Sequence, residues 1–402
     1  MSHRVMITGL GVVSGFGLTT DEFWQGISHG RCAIRPLPPH DDLKIKVGAT
    51  LPDYDEEKLF TSDELPYLDR FAQLSILAAE QAASDAKFTD DETLLNAAVI
   101  IGNAAGSKNT DEEVYEKIHK SKRPRVHPLA IIKGMHSSVA SSVSRHLGIQ
   151  GPVFSVSSAC ASGAHAIIQG SMMIQQGLVD VALVGGTDAP FPYVLLKAWE
   201  AMRVVSDDVC RPFSKDRKGM SLGEGAGVLV LESEEHAKQR GANIYAELAG
   251  YAMSADAGHI TRPEVNSIAK TMKNALNNAG VRSEEVDYVN AHGTGTQSND
   301  LAETQALHQV FGKHAKDIAV SSTKSMHGHV LGASSAIELI ATVLAMNNGV
   351  IPPTINLTET DELCDLDYVA NVPRHQKVEV AMSNSFAFGG LNAVLVLKTI
   401  DR

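Results

Sequence analysis

A faint internal repeat constrains this chain's fold more than any other feature. Residues 153–170 read as an apolar strand, a V-S-S turn and a small-residue helix. Residues 318–341 read as I-A-V-S-S-T-K, a turn, then G-A-S-S-A-I-E-L-I-A. Cys160 stands two residues beyond the first serine pair and Lys324 two beyond the second. A second correspondence precedes each: A-A-V-I-I-G-N-A-A-G-S (97–107) and V-D-Y-V-N-A-H-G-T-G (286–295) are apolar strands running into small, glycine-containing loops. Acidic, helix-compatible stretches follow both, Asp111 to Ile118 and Leu301 to Val310. Two β-α-β-α-β halves, residues 1–245 and 246–402, account for this α/β pattern, with buried parallel strands that look continuously apolar. Functional residues then belong at the C-terminal ends of strands, where the halves meet.

Cys160 lies where one of these strands turns into a helix, in V-S-S-A-C-A-S-G. Helix dipole and free backbone N–H groups there are expected to lower its pKa. Two histidines follow in glycine-rich turns, His292 in N-A-H-G-T-G-T and His329 in K-S-M-H-G-H. A cysteine alone is more often a small buried hydrophobe. Joined to two histidine turns, it points to acyl-thioester chemistry. His327 and His329 lack an accompanying carboxylate or thiol cluster, so no metal site is expected. No cofactor is signalled either.

Several other function classes drop out. The formal charge of −12 argues against nucleic acid and anionic membranes. No apolar run nears the ~18 residues that span a bilayer. The opening M-S-H-R-V-M-I-T-G-L-G-V-V is strand-like and unlike a signal peptide. Four scattered cysteines signal neither disulfides nor zinc, so a reducing, cytoplasmic setting is expected. Gly9, Gly11 and Gly15 miss the dinucleotide-loop spacing and read as a tight turn. Helix 67–86 carries Phe71, Leu74, Ala78 and Ala82 on one face, and 181–189 reads as a buried strand. Residues 108–136, polar and basic through Lys117, Lys120, Lys122, Arg123 and Arg125, read as a cap, an interface segment or a solvated loop.

Five segments appear in order: V-S-S-A-C-A-S-G, R-P-F-S-K-D-R-K-G-M-S-L-G-E-G-A-G (211–227), N-A-H-G-T-G-T-Q-S-N-D-L-A-E (290–303), S-S-T-K-S-M-H-G-H-V-L-G-A (321–333) and N-S-F-A-F-G-G-L-N-A (384–393). Over essentially the whole chain they resemble the elongating β-ketoacyl-[acyl carrier protein] synthases of the thiolase superfamily. Within these, L-K-A-W-E-A-M-R and C-R-P-F-S resemble the nodulation-protein-E branch, related to synthases of specialised, often unsaturated acyl chains. The resemblance implies thiolase-like halves in a layered αβαβα arrangement and decarboxylative condensation of malonyl-carrier protein with a cysteine-bound acyl chain.

By the same resemblance Cys160 matches the acyl-accepting nucleophile, and His292 and His329 match the pair that activates the malonyl group. Lys324 matches the lysine supporting the histidines, and Glu303 the acid tying Lys324 into a network. Phe388 matches the gate, its N–H joining that of Cys160 in an oxyanion hole. Thr294 and Thr296 match the threonines holding a phosphopantetheine arm. The small residues around Ala105 leave room for a long or bent acyl chain. The implied partners are acyl carrier protein and a second copy or a paralogue, as homodimer or heterodimer.

Two features depart from the primary-metabolism members: His327 stands where threonine is frequent, and residues 61–69 are acidic. An acidic carrier protein then needs a local positive patch elsewhere, for which Arg70, Arg203 and the 117–125 run are candidates. Two other classes stay in view. A thiolase needs a second reactive cysteine in a C-terminal Cys-Gly motif, and Cys364 in D-E-L-C-D-L-D has none. A non-catalytic chain-length partner lacks the nucleophile that Cys160 supplies.

Overall fold

The computed structural model describes residues 3–88, 91–121 and 125–400. Ten strands form one sheet: β1 (Val5–Val13), β2 (Ala98–Gly102), β3 (Val153–Val156), β4 (Val181–Asp188), β5 (Gly225–Ser233), β6 (Ala246–Ala255), β7 (Tyr288–Asn290), β8 (Ala319–Ser321), β9 (Val380–Ala387) and β10 (Leu391–Lys398). Their order is β8-β7-β9-β10-β6-β1-β5-β4-β2-β3. Each run of five thus has one plan, and β1 joins β6 through Met6–Glu247 and Ile7–Ala246. β3, β2 and β4 are parallel, as are β8, β7 and β9. The expectation of parallel strands fails for the rest: β5 runs antiparallel to β4 and β1, and β10 antiparallel to β9 and β6. Their continuous apolar runs come from burial on both faces, which strand direction does not alter.

The longer helices of the described residues include α1 (Arg70–Asp85), α2 (Lys108–Lys120), α3 (Ser138–Leu147), α4 (Ser162–Gln175), α5 (Val265–Ala279), α6 (Gln297–Phe311) and α7 (Ser334–Asn348); all but α2 clothe or divide the sheet. α1 and α3 cover the outer face of the first half, α5 and α6 that of the second. α4 and α7 lie between the halves, with Ile167, Ile168, Ile337 and Ile340 in one core with strands of both. The layers are therefore αβαβα. α7 is apolar nearly all round because protein covers every side of it.

α1 starts at Arg70 because the Asp69 carboxylate accepts the Phe71 N–H at 3.3 Å, an N-cap. Gly9 and Gly11 are not in a tight turn. They lie within β1 against α1, where a Cβ would meet Ala82 O at 2.2 Å and Ala78 O at 1.9 Å. Close strand–helix packing explains them. The 108–136 segment forms α2 and a short helix, Ala130–Gly134; Lys122 and Arg123 lie outside the described residues. Tyr115, Ile118, Ile131, Ile132 and Met135 are exposed there, so the segment carries an apolar face as well as charge.

The central helices meet at their N-termini. Ser335 Oγ accepts the Ala164 N–H at 2.8 Å, and a Cβ on Gly163 would meet Ser335 Oγ at 2.9 Å and Gly332 O at 3.0 Å. This close approach brings the turn before α4, with Cys160, beside the turn before α7, with His329.

Candidate active site

β3 ends at Val156, and the chain reverses through Ala159, held at φ +50°, where a residue with a Cβ is uncommon. Ser162 Oγ braces the turn, accepting the Ser158 N–H at 2.8 Å and donating to Ala159 O at 2.6 Å. Cys160 is buried two residues before the helix. The expected lowering of its pKa is not found. Burial pushes the thiol up to about 11, against the opposing pull of the Lys324 charge and the N–H groups of Phe388 and Cys160. At neutral pH Cys160 therefore rests as a thiol.

Cys160, His292, His329, Thr294, Thr296 and Phe388 line one cleft. His292 follows β7, its ring 5.6 Å from that of His329 at 87°. Burial holds both imidazoles well below their usual pKa, and the Lys324 charge adds to it. Both are therefore neutral, and their partners fix the tautomers. His329 Nδ1 accepts the Leu331 N–H at 3.0 Å, and Lys324 Nζ lies 3.4 Å from His292 Nδ1. A backbone N–H and an ammonium only donate, so each ring carries its proton on Nε2.

Lys324 is fully buried. Its Nζ donates to His292 O at 2.6 Å and to the Glu338 carboxylate. Glu303 makes no direct hydrogen bond to Lys324; the two are linked through His292, which each of them bonds. Glu303 accepts the N–H groups of His292 and Gly293, each at 2.8 Å, and Asn384 Nδ2 at 3.1 Å. Glu303 shapes the His292 loop, and Glu338 on α7 is the counter-charge. Desolvation pushes the Glu338 carboxyl up to about 7 against the Lys324 charge. Glu338 escaped sequence reasoning, although a lone acid in the apolar run G-A-S-S-A-I-E-L-I-A was a signal.

That pair yields a prediction. With Lys324→Ala, Glu338 keeps no cation, and breaking a buried pair costs about 3–5 kcal/mol. A carboxyl whose folded pKa exceeds its unfolded value takes a proton on folding, so stability falls as pH rises through that window. The melting-temperature loss is expected to be larger at pH 8 than at pH 6. An equal loss at both in scanning calorimetry excludes Glu338 as the unpaired group.

Thr294 and Thr296 hydroxyls are 2.9 Å apart in the cleft wall. Phe388 sits at the tip of the β9–β10 hairpin before Gly389 and Gly390, its ring 6.3 Å from Trp199. Ala105 lies outside the cleft lining, in an apolar cluster with Phe388, Leu331 and Leu196. His327 also stays out of the cleft. Its Nε2 meets Thr323 Oγ1 at 2.9 Å, its ring packs 6.0 Å from Phe23, and burial pushes its pKa down to about 3. Arg70 is unavailable for docking, since it forms a two-pronged pair with Glu224 at 2.7 and 2.8 Å. Among the described residues, no group of three or more His, Cys, Asp or Glu could hold a metal ion. No helix among them is long and apolar enough to cross a membrane.

A thiol and two neutral N–H donors at the junction of two stacked α/β halves define a carbon–carbon condensing enzyme of the thiolase fold. The chain belongs to the β-ketoacyl synthase family: the N-terminal domain model matches residues 2–237 and the C-terminal domain model residues 245–358. It is 47% identical to Nodulation protein E of Rhizobium meliloti (strain 1021), covering 100% of both chains. It is 40% identical to 3-oxoacyl-[acyl-carrier-protein] synthase 2 of Synechocystis sp., covering 98% of each. Among solved structures, the ishigamide ketosynthase/chain length factor superposes with a TM-score of 0.95 at 37% identity, covering 100% of both chains. A type II polyketide ketosynthase in complex with its acyl-carrier protein gives 0.90 at 32% identity, again covering 100% of both.

Proposed function

We propose that the chain is a β-ketoacyl-[acyl carrier protein] synthase with Cys160 as nucleophile. Its thiol attacks the acyl thioester of a carrier protein, and the phosphopantetheine thiol leaves with the proton. A malonyl-carrier protein then loses CO2, the electron pair of the broken bond passing into an enolate. The Nε2–H groups of His292 and His329 stabilise the enolate oxygen without a metal. The enolate carbon attacks the acyl-Cys160 carbonyl, whose oxyanion the N–H groups of Cys160 and Phe388 receive, and the thiolate is expelled. The single observation carrying this reading is the pair of imidazoles, neutral and donor-ready, in one cleft with the cysteine.

Lys324 braces the His292 ring, and Glu303 fixes the loop bearing it. The two threonine hydroxyls suit a pantetheine amide, and Phe388 on its glycine hinge suits a gate over the cleft. Ala105, behind Phe388, suits the far end of the acyl chain. We read residues 1–245 and 246–402 as the two structural halves, and the active form as a homodimer or a heterodimer with a paralogue, in the cytoplasm. For the acidic carrier protein, Lys44, Arg203 and Lys218 line a surface recess beside Glu200 and Asp207, with Lys197 there already paired with Glu200 at 2.8 Å. Val205 in that recess bridges to Met220 in the cleft wall. Similarity to Nodulation protein E supports a specialised acyl product and a dedicated carrier.

A thiolase is disfavoured, because Cys364 is buried in the core of the second half, outside the cleft. The test is release of CO2 from malonyl-carrier protein, with two carbons added to the acyl chain supplied. Absence of CO2 release by the wild-type protein sinks the reading.

A further inference from the structure

We propose that Asp188 is a positioning residue for His329, pinning through the Gly332 N–H the turn whose Leu331 N–H sets that ring's tautomer. This inference rests on the condensing-enzyme reading above. Asp188 ends β4 and is fully buried. Its Oδ2 accepts Ala104 N–H at 2.9 Å and Gly332 N–H at 2.7 Å, and its Oδ1 accepts Ala105 N–H at 2.9 Å. The Gly106 N–H also points to it. These donors all come from the backbone, so the carboxylate holds the path of the chain rather than balancing a cation.

The sheet register gives this carboxylate a counterpart. Gly102 pairs with Val156 and Gly186, and Asn290 pairs with Ser321 and Ser383 in the same sense. Ala104 and Ala105 are therefore equivalent to His292 and Gly293, whose N–H groups Glu303 takes. Each half closes its strand-end loop on a carboxylate. Only Asp188 makes an additional bond across to the other half's histidine turn.

That turn needs holding. Leu331 sits at φ +46°, a region a leucine seldom adopts. In that conformation its N–H reaches His329 Nδ1 at 3.0 Å. The Ser334 hydroxyl also lies 2.9 Å from Nδ1, but it can rotate. Without the Asp188–Gly332 bond the turn can relax, the fixed donor leaves Nδ1, and the Nε2–H pointing at the enolate loses its single orientation. The acyl-transfer step at Cys160 does not use that donor.

Asp188→Ala removes the acceptor. Gly332→Ala strains the same junction from the other side, its Cβ meeting Ala104 N at 2.7 Å and Asp188 Oδ2 at 2.8 Å. CO2 release from malonyl-carrier protein and acylation of Cys160 are measured separately for each soluble variant. Decarboxylation is expected to fall roughly ten- to a hundredfold, as small misplacements of a reacting group do. Because the same carboxylate holds the Ala104–Ala105 loop, acylation is expected to fall as well, but by several-fold less than decarboxylation. Nitrogen-15 NMR of histidine-labelled protein, with His329→Ala assigning the signal, should show His329 as the pure Nε2–H tautomer in wild type and as a mixture in the variants. Equal losses in both steps, or an unchanged tautomer, overturn the proposal. If wild type releases no CO2, the condensing reading fails, and the tautomer signal still decides the role of Asp188.

Discussion

Cys160→Ala is expected to abolish carbon–carbon bond formation while the protein stays folded and still decarboxylates malonyl-carrier protein. The substitution keeps Cβ and removes one atom from a buried turn braced by Ser162. Its stability cost is small beside that of a large core truncation. The histidines do not depend on the sulfur for their hydrogen bonds, so CO2 release survives. Mass spectrometry should find acyl groups on Cys160 of the wild-type protein and nowhere else. Cys210 donates to Thr294 O at 3.3 Å from a fully buried site, Cys364 is buried in the second half's core, and Cys32, though exposed, lies outside the cleft lining. A Cys160→Ala protein that still elongates acyl chains overturns the nucleophile assignment.

The second large effect belongs to the imidazoles. His292→Ala and His329→Ala are each expected to slow malonyl decarboxylation by about 10²–10³, the usual result of deleting one preorganised donor in a water-poor site. Both rings are neutral and carry the proton on Nε2, so each variant deletes a hydrogen bond that strengthens as charge builds on the enolate oxygen. Acylation of Cys160 should persist, measured as the mass shift of the protein after exposure to acyl-carrier protein. If acylation fell as far as decarboxylation in both variants, the division of labour between sulfur and imidazoles would be wrong.

The double architecture was legible because repetition survives in residue types. The V-S-S turns, the glycine loops and the small-residue helices mark the same positions in both halves. Strand direction was not legible, since β5 and β10 are as apolar as their parallel neighbours and periodicity reports burial rather than polarity of the chain. His292 and His329 stood out in glycine-rich turns, and Cys160 stood out at the turn where a strand becomes a helix. Glu338 and Asp188 did not, since an acid's function depends on which N–H or ammonium the fold brings to it. The lysine's direct partner was not legible for the same reason: Glu303 and Glu338 are both buried acids, and only packing puts Glu338 against the ammonium and Glu303 against the His292 backbone. For Cys160 the helix turn argued for a low pKa, and burial outweighed it.

The seam between β1 and β6 has a wider meaning. Two copies of one five-stranded plan, joined edge to edge, have the geometry of a homodimer fused into one polypeptide. Two identical chains would be bound by their symmetry to put the same groups on both walls of a shared cleft. Fusion lifts that obligation. One wall here keeps a sulfur and a loop of small residues, the other a pair of imidazoles and a buried ammonium. A reaction with two unlike half-steps needs such inequality, and covalent linkage makes it heritable in a single gene.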